Sequence, residues 1–117
     1  MKKVLLLIVS ILLLCGCNEK ATVTMVQCDE ANKLVDDGAI LIDVRNITEF
    51  DEYHLDNAIN IEYDVIGNKI GSVTQDKNAK IIVYCKSGNR SGKAAQTLID
   101  KGYKNVYDLG GYGKCVS

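Results

Sequence analysis

The chain has 117 residues, 47% apolar and 25% charged, with 10 Gly, no Pro and no Trp, an ordinary globular composition with room for one compact domain and none for a second. The 14 Lys and Arg stand against 15 Asp and Glu, a formal charge of −1. No broad basic surface is available to neutralise a nucleic-acid backbone, so nucleic acid is not expected as a partner.

Lys2 and Lys3 precede an apolar run from Val4 to Leu14, broken only by Ser10 and followed by small and polar residues. Such a run is too short for the roughly 30 Å hydrocarbon core and has the charge, apolar stretch and small-residue end of an export signal. The stretch Leu14-Cys15-Gly16-Cys17 resembles the lipobox of bacterial lipoproteins. That resemblance implies removal of residues 1–16, attachment of diacylglycerol and usually a further acyl group, such as palmitate, at Cys17, and membrane anchoring on the extracytoplasmic side, at the cell surface or in the periplasm. Residues 17–22 then read as a lipidated tether and residues 23–117 as the folded domain. Losing Lys2 and Lys3 leaves that domain mildly acidic, so the lipid must do the anchoring.

The remaining elements alternate in type. Val23 to Val26 reads as a weak strand, and Asp29 to Asp37 as a helix with Ala31, Leu34 and Val35 on one face and Gly38 as its stop. Ala39 to Val44 is a continuous buried-type strand. Asn46 and Glu49 have capping-box spacing and open a short helix carrying Phe50, followed by a brief strand at Ile59 to Ile61. Asp64 to Val73 is ambiguous. Lys80 to Tyr84 is the clearest strand and Ser91 to Lys101 the clearest helix, with Ala94, Ala95, Leu98 and Ile99 inward and Gly102 ending it; Asn105 to Leu109 closes the series. This density of strand–helix alternation implies parallel strands joined by crossover helices, a three-layer α/β sheet.

Between the best strand and the best helix lies Cys85-Lys86-Ser87-Gly88-Asn89-Arg90-Ser91. Ligands of open parallel sheets bind at the carboxyl ends of strands, where a helix amino terminus presents unpaired N–H groups. Gly88 and Asn89 tolerate unusual dihedrals, so the loop can curl until its amides point at the Cys85 sulfur, within reach of substrate. Lys86 and Arg90 add positive charge that favours the thiolate and attracts an anion. Arg90 reads equally well as a structural fork holding the loop.

The loop resembles the active-site loop of the rhodanese family of sulfurtransferases, in which a nucleophilic Cys opens a six-residue turn before a helix. Leu41 to Ile61 is similar to the family's segment from an Asp-x-Arg strand end through an acidic helix to a His-containing turn, and Asp108 to Tyr112 to its closing Gly-Gly signature. The resemblance implies a rhodanese-like fold with helices on both faces of a mostly parallel sheet. It also implies transfer of sulfane sulfur from an anion such as thiosulfate, through a Cys85 persulfide sheltered by Lys86, Ser87, Gly88, Asn89 and Arg90, to a thiol or cyanide-like acceptor, without metal or organic cofactor. Asp43, Arg45 and His54 are expected to support the catalytic loop from behind.

Two departures stand out. Where the family pattern runs Gly-His-Ile-Pro-Gly-Ala, this chain has Tyr53-His54-Leu55-Asp56-Asn57-Ala58; Asn57 can enter positive φ, whereas Tyr53 lacks a physical account. Cys115 falls where the family often has Trp, and reads as a small substitute or as a resolving thiol for Cys85. Cys28 reads as core packing. Two other functions fit parts of the pattern: a Cys-dependent phosphatase or arsenate reductase, whose loop generally holds one more residue, and a non-catalytic membrane-tethered binding or redox module.

Overall fold

A computed structural model describes residues 21–116, so the export signal and the lipobox Cys17 lie outside the described residues. The elements run β1 (Thr24–Met25), α1 (Cys28–Asp36), β2 (Ile40–Asp43), α2 (Ile47–Glu52), β3 (Ile59–Asn60), α3 (Ile66–Val73), β4 (Lys80–Cys85), α4 (Asn89–Asp100), β5 (Asn105–Gly111) and a 3₁₀ turn (Tyr112–Cys115). The five strands form one sheet in the order β1-β5-β4-β2-β3, with every pairing parallel. The expected α/β architecture is therefore present, and the ambiguous stretch after Asp64 resolves as α3, with Ile66 and Ile70 one turn apart and buried.

Alternation along β4 divides the core. Ile81, Val83 and Cys85 face α3 and α4, where Ile66, Ile70, Ala94, Ala95 and Leu98 pack on them. Ile82 and Tyr84 face the other way, toward α1 through Ala31 and toward Leu41 and Leu109. Being covered on both faces is why β4 reads as an unbroken apolar run.

Cys28 and Cys115 correct the sequence reading. They form a disulfide, with Cα atoms 5.4 Å apart, that ties the start of α1 to the 3₁₀ turn across 87 residues of chain. The pairing is possible because β1 and β5 are sheet neighbours, which brings the segments following each of them together. Both cysteines pack on the α1 side, whereas Cys85 points to the α4 side, so Cys115 is not a resolving thiol for Cys85. Closing so long a loop in the unfolded chain is worth about 2–4 kcal/mol. Replacing both cysteines by serine is expected to lower the melting temperature by roughly 10–20 °C, checked by calorimetry; an unchanged melting temperature contradicts the bridge's structural role.

Candidate active site

Cys85 ends β4 and is the one free cysteine among the described residues. The chain after it turns through Gly88, whose φ of 101° lies in the left-handed region that a glycine enters without penalty, and then starts α4. Asn89 is already helical and takes no unusual dihedral, contrary to expectation. The turn brings the Gly88 and Ser91 N–H groups onto the Cys85 Sγ, donating at 3.0 and 3.3 Å. The Ser91 hydroxyl, 3.1 Å from the Gly88 carbonyl oxygen, has one proton to give either to that oxygen, bracing the turn, or to the Cys85 sulfur. Gly111, paired with Cys85 in the sheet, closes the other side so tightly that a Cβ there would lie 2.6 Å from the Lys86 carbonyl oxygen.

Burial alone would push the Cys85 thiol up, but the Ser91 hydroxyl and the N–H groups of Ser91, Gly88 and Ser87 outweigh it and hold the group below the ordinary thiol value. Lys86 is exposed on the loop. Because the folded chain binds this proton less tightly than the unfolded chain, the linked stability is present above the unfolded value and lost as pH falls through the folded one. We expect the thiolate ultraviolet absorbance of the folded chain to persist below the ordinary thiol value of about 8.5 and to disappear on acidification. A titration at or above that value contradicts the cradle.

One expectation is not met. Cys85 has 0% of its surface exposed: the loop closes over the sulfur instead of leaving it open to solvent. Any reaction at this atom needs the loop to widen, and favours a reagent that presents one slim terminal atom.

Arg90 takes the structural option. Its Nη1 and Nη2 donate to Glu49 Oε1 and Oε2 at 2.7 and 3.2 Å, while Glu49 also accepts from the Asn46 N–H in the capping box of α2. The Arg90 guanidinium beside Glu49 holds that carboxyl below the usual carboxylate range. The Cys85 charge in turn favours protonated Arg90, so the two feel one another without contact.

Asp43 and Arg45 form a buried pair at the end of β2, Nη2 to Oδ2 at 2.7 Å, with Arg45 Nε also on both carboxylate oxygens. Hydrogen bonding to Asp43 raises the Arg45 pKa despite its burial. Arg45 Nη2 donates to the Tyr53 carbonyl at 2.6 Å, and its guanidinium lies 4.4 Å from the Tyr112 ring centre. The pair thus clamps the two segments flanking the Cys85 loop rather than the loop itself. Asn60, which sequence reasoning missed, fixes this strand end by donating to the carbonyls of Asp43 and Arg45, both at 2.9 Å.

His54 lies apart from this network. It is exposed, stacks on Phe50 with ring centres 3.7 Å apart, and pairs through Nδ1 with the Phe50 carbonyl at 2.8 Å, closing the turn after α2. Asn57 does adopt positive φ, at 70°. Tyr53 has φ −166°, extended backbone that any residue adopts, which accounts for the missing glycine.

The site thus sets a cysteine in a loop of converging amides, between a central strand and the helix after it, at the strand ends where parallel α/β sheets hold their ligands. The profile of the family described as Rhodanese-like domain matches residues 27–116, and the chain belongs to that family. It is 37% identical over 87 residues to a tRNA uridine(34) hydroxylase of Erwinia tasmaniensis, covering 70% of this chain, and 37% identical over 90 residues to that of Sodalis glossinidius, covering 73%. The chain spans about a quarter of the length of these relatives. Among solved structures, it resembles a rhodanese with anions from E. coli at TM-score 0.61 and 35% identity, over 63% of this chain and 87% of that one. It also resembles the reduced Bacillus anthracis CoADR-RHD at TM-score 0.70 and 33% identity, over 79% of this chain and 16% of that one.

Proposed function

We propose that the chain is a sulfurtransferase that moves sulfane sulfur from thiosulfate or a similar donor to a thiophilic acceptor through a Cys85 persulfide. The observation that carries this reading is the convergence of the Gly88 and Ser91 N–H groups on one sulfur. The Cys85 thiolate attacks the outer sulfur of thiosulfate. The new S–S bond forms as the old one breaks, and the bonding pair leaves with sulfite. The terminal persulfide sulfur then takes the negative charge toward the loop amides, which stabilise it. Cyanide or a thiolate attacks that terminal sulfur and returns the Cys85 thiolate. Family membership and the resemblance to the E. coli rhodanese support the assignment.

Against phosphate chemistry stands Arg90, whose terminal nitrogens are engaged by Glu49 instead of being turned toward an oxyanion. Incubation with thiosulfate and cyanide is expected to yield thiocyanate, and an aryl phosphate to remain intact; phosphate release without thiocyanate contradicts the reading.

The reading extends to an extracytoplasmic lipoprotein anchored through Cys17. The lipobox-like sequence supports it, and so does the Cys28–Cys115 bridge, because such bonds persist in oxidising compartments. Expressed in a bacterium that processes lipoproteins, the chain is expected in the membrane fraction with labelled palmitate attached, and C17A in the soluble fraction without label. An unlabelled soluble wild type contradicts the anchor.

A further inference from the structure

The Cys28–Cys115 bridge and Cys85 lie on opposite faces of the sheet, yet one short piece of chain connects them. Strand β5 ends in Gly110 and Gly111, and these two glycines form the wall on which the Cys85 loop rests. A Cβ on Gly111 would meet the Lys86 carbonyl oxygen at 2.6 Å, and one on Gly88 would meet the Gly110 Cα at 3.8 Å. Sheet pairing stops at Cys85 with Gly111. The four-residue 3₁₀ turn follows directly, and side chains hold it to the fold: Tyr112 at its start, over the Arg45 guanidinium, and Cys115 at its end, bonded to Cys28. Between them Gly113 and Lys114 are exposed. Both bridge cysteines are half-buried, within reach of a small thiol in solution, whereas Cys85 is shut in.

We propose that the bridge is a redox-controlled latch on the Cys85 loop. While it is closed, the turn holds the Gly110–Gly111 wall against Lys86 and keeps Cys85 shielded; its reduction by a dithiol lets the wall draw back and opens the loop. The latch goes beyond sulfur transfer, because it governs access to Cys85 whatever reagent reacts there. One thiolate of the dithiol attacks a bridge sulfur and forms a mixed disulfide, and the electron pair of the broken S–S bond leaves on the other cysteine, which takes up a proton. The second thiol of the reagent, as thiolate, then attacks the mixed disulfide and releases the remaining cysteine, which is protonated in turn, together with a cyclic disulfide. Two electrons pass to the protein and the dithiol is oxidised. The thiolate is the form of a cysteine that oxidants attack, and the closed loop shields it for as long as the surroundings are oxidising enough to keep the bridge.

The test uses the full chain under native conditions and reads alkylation of Cys85 by iodoacetamide, quantified on the Cys85 peptide by mass spectrometry. The comparison runs over wild type with the bridge formed, wild type reduced with dithiothreitol and freed of it without air, the double variant Cys28→Ser with Cys115→Ser, and Val106→Ala with the bridge formed. Val106 is buried at the other end of β5, paired with Ile81, so its truncation lowers stability without touching the turn. Reduction is expected to raise the Cys85 alkylation rate about tenfold, within the usual range for coupling between two sites, and the double variant to match the reduced chain. Val106→Ala is expected to keep the wild-type rate. If the double variant does not fold, the reduced chain decides alone. An unchanged rate in the reduced chain overturns the latch, and so does an equal rise in Val106→Ala, which assigns the effect to general loosening of the fold. Either result leaves the sulfurtransferase reading standing, because that reading is judged by thiocyanate formation.

Discussion

Replacing Cys85 by serine is expected to reduce thiosulfate-to-cyanide sulfur transfer by about 10³-fold or more, since the proposed reaction passes through a covalent intermediate that an alkoxyl oxygen does not form. The fold is expected to survive. A serine hydroxyl can accept the N–H groups of Gly88 and Ser91 that the sulfur accepts now, and it is smaller than the thiol, so the buried site is neither overpacked nor left with unpaired donors. The stability cost is about 1 kcal/mol. Turnover by Cys85→Ser within tenfold of wild type contradicts the assigned nucleophile. Loss of activity together with loss of the far-ultraviolet circular dichroism signal identifies unfolding instead.

The second large effect concerns Asp43. Its side chain is 0% exposed, and its partner Arg45 is 3% exposed, so Asp43→Ala strands a guanidinium in the interior. Removing one member of a buried ion pair typically costs about 3–5 kcal/mol, because the surviving charge loses its counterpart without regaining water. Turnover is expected to fall as well, through the segments that Arg45 holds on either side of the Cys85 loop: the Tyr53 carbonyl and the Tyr112 ring. Denaturant unfolding measures the first effect and steady-state kinetics the second. A stability loss below about 1 kcal/mol would mean that the pair behaves like an exposed one.

Most of the architecture was legible in the sequence because the longer strands and most of the crossover helices carry a recognisable apolar pattern. Ile81 to Tyr84 is apolar throughout since both sheet faces are covered, and Asn46 with Glu49 announces α2 by two reciprocal hydrogen bonds, Glu49 N–H to Asn46 Oδ1 at 2.9 Å and Asn46 N–H to Glu49 Oε1 at 3.3 Å. α3 was obscured by Gly67 and Gly71, poor helix formers that blur a pattern resting on Ile66 and Ile70. What stayed hidden was whatever depends on two distant segments meeting. The Cys28–Cys115 bridge follows from β1 lying beside β5, and the Arg90–Glu49 pair from α2 lying beside the start of α4; neither adjacency has a local signature. The closure of the loop over Cys85 is likewise a matter of three-dimensional packing, set in part by Gly111 against Lys86. Ser91 had a signal that went unused: a hydroxyl residue in the first turn of α4, where its amide and side chain both turn back to the loop.

The most direct test of the account is the intact mass of the chain after thiosulfate treatment and removal of the excess, followed by peptide mapping. The cradle of amides predicts a gain of one sulfur atom, located on Cys85, reversed by cyanide. A mass unchanged by thiosulfate, or sulfur retained on any other residue, contradicts it.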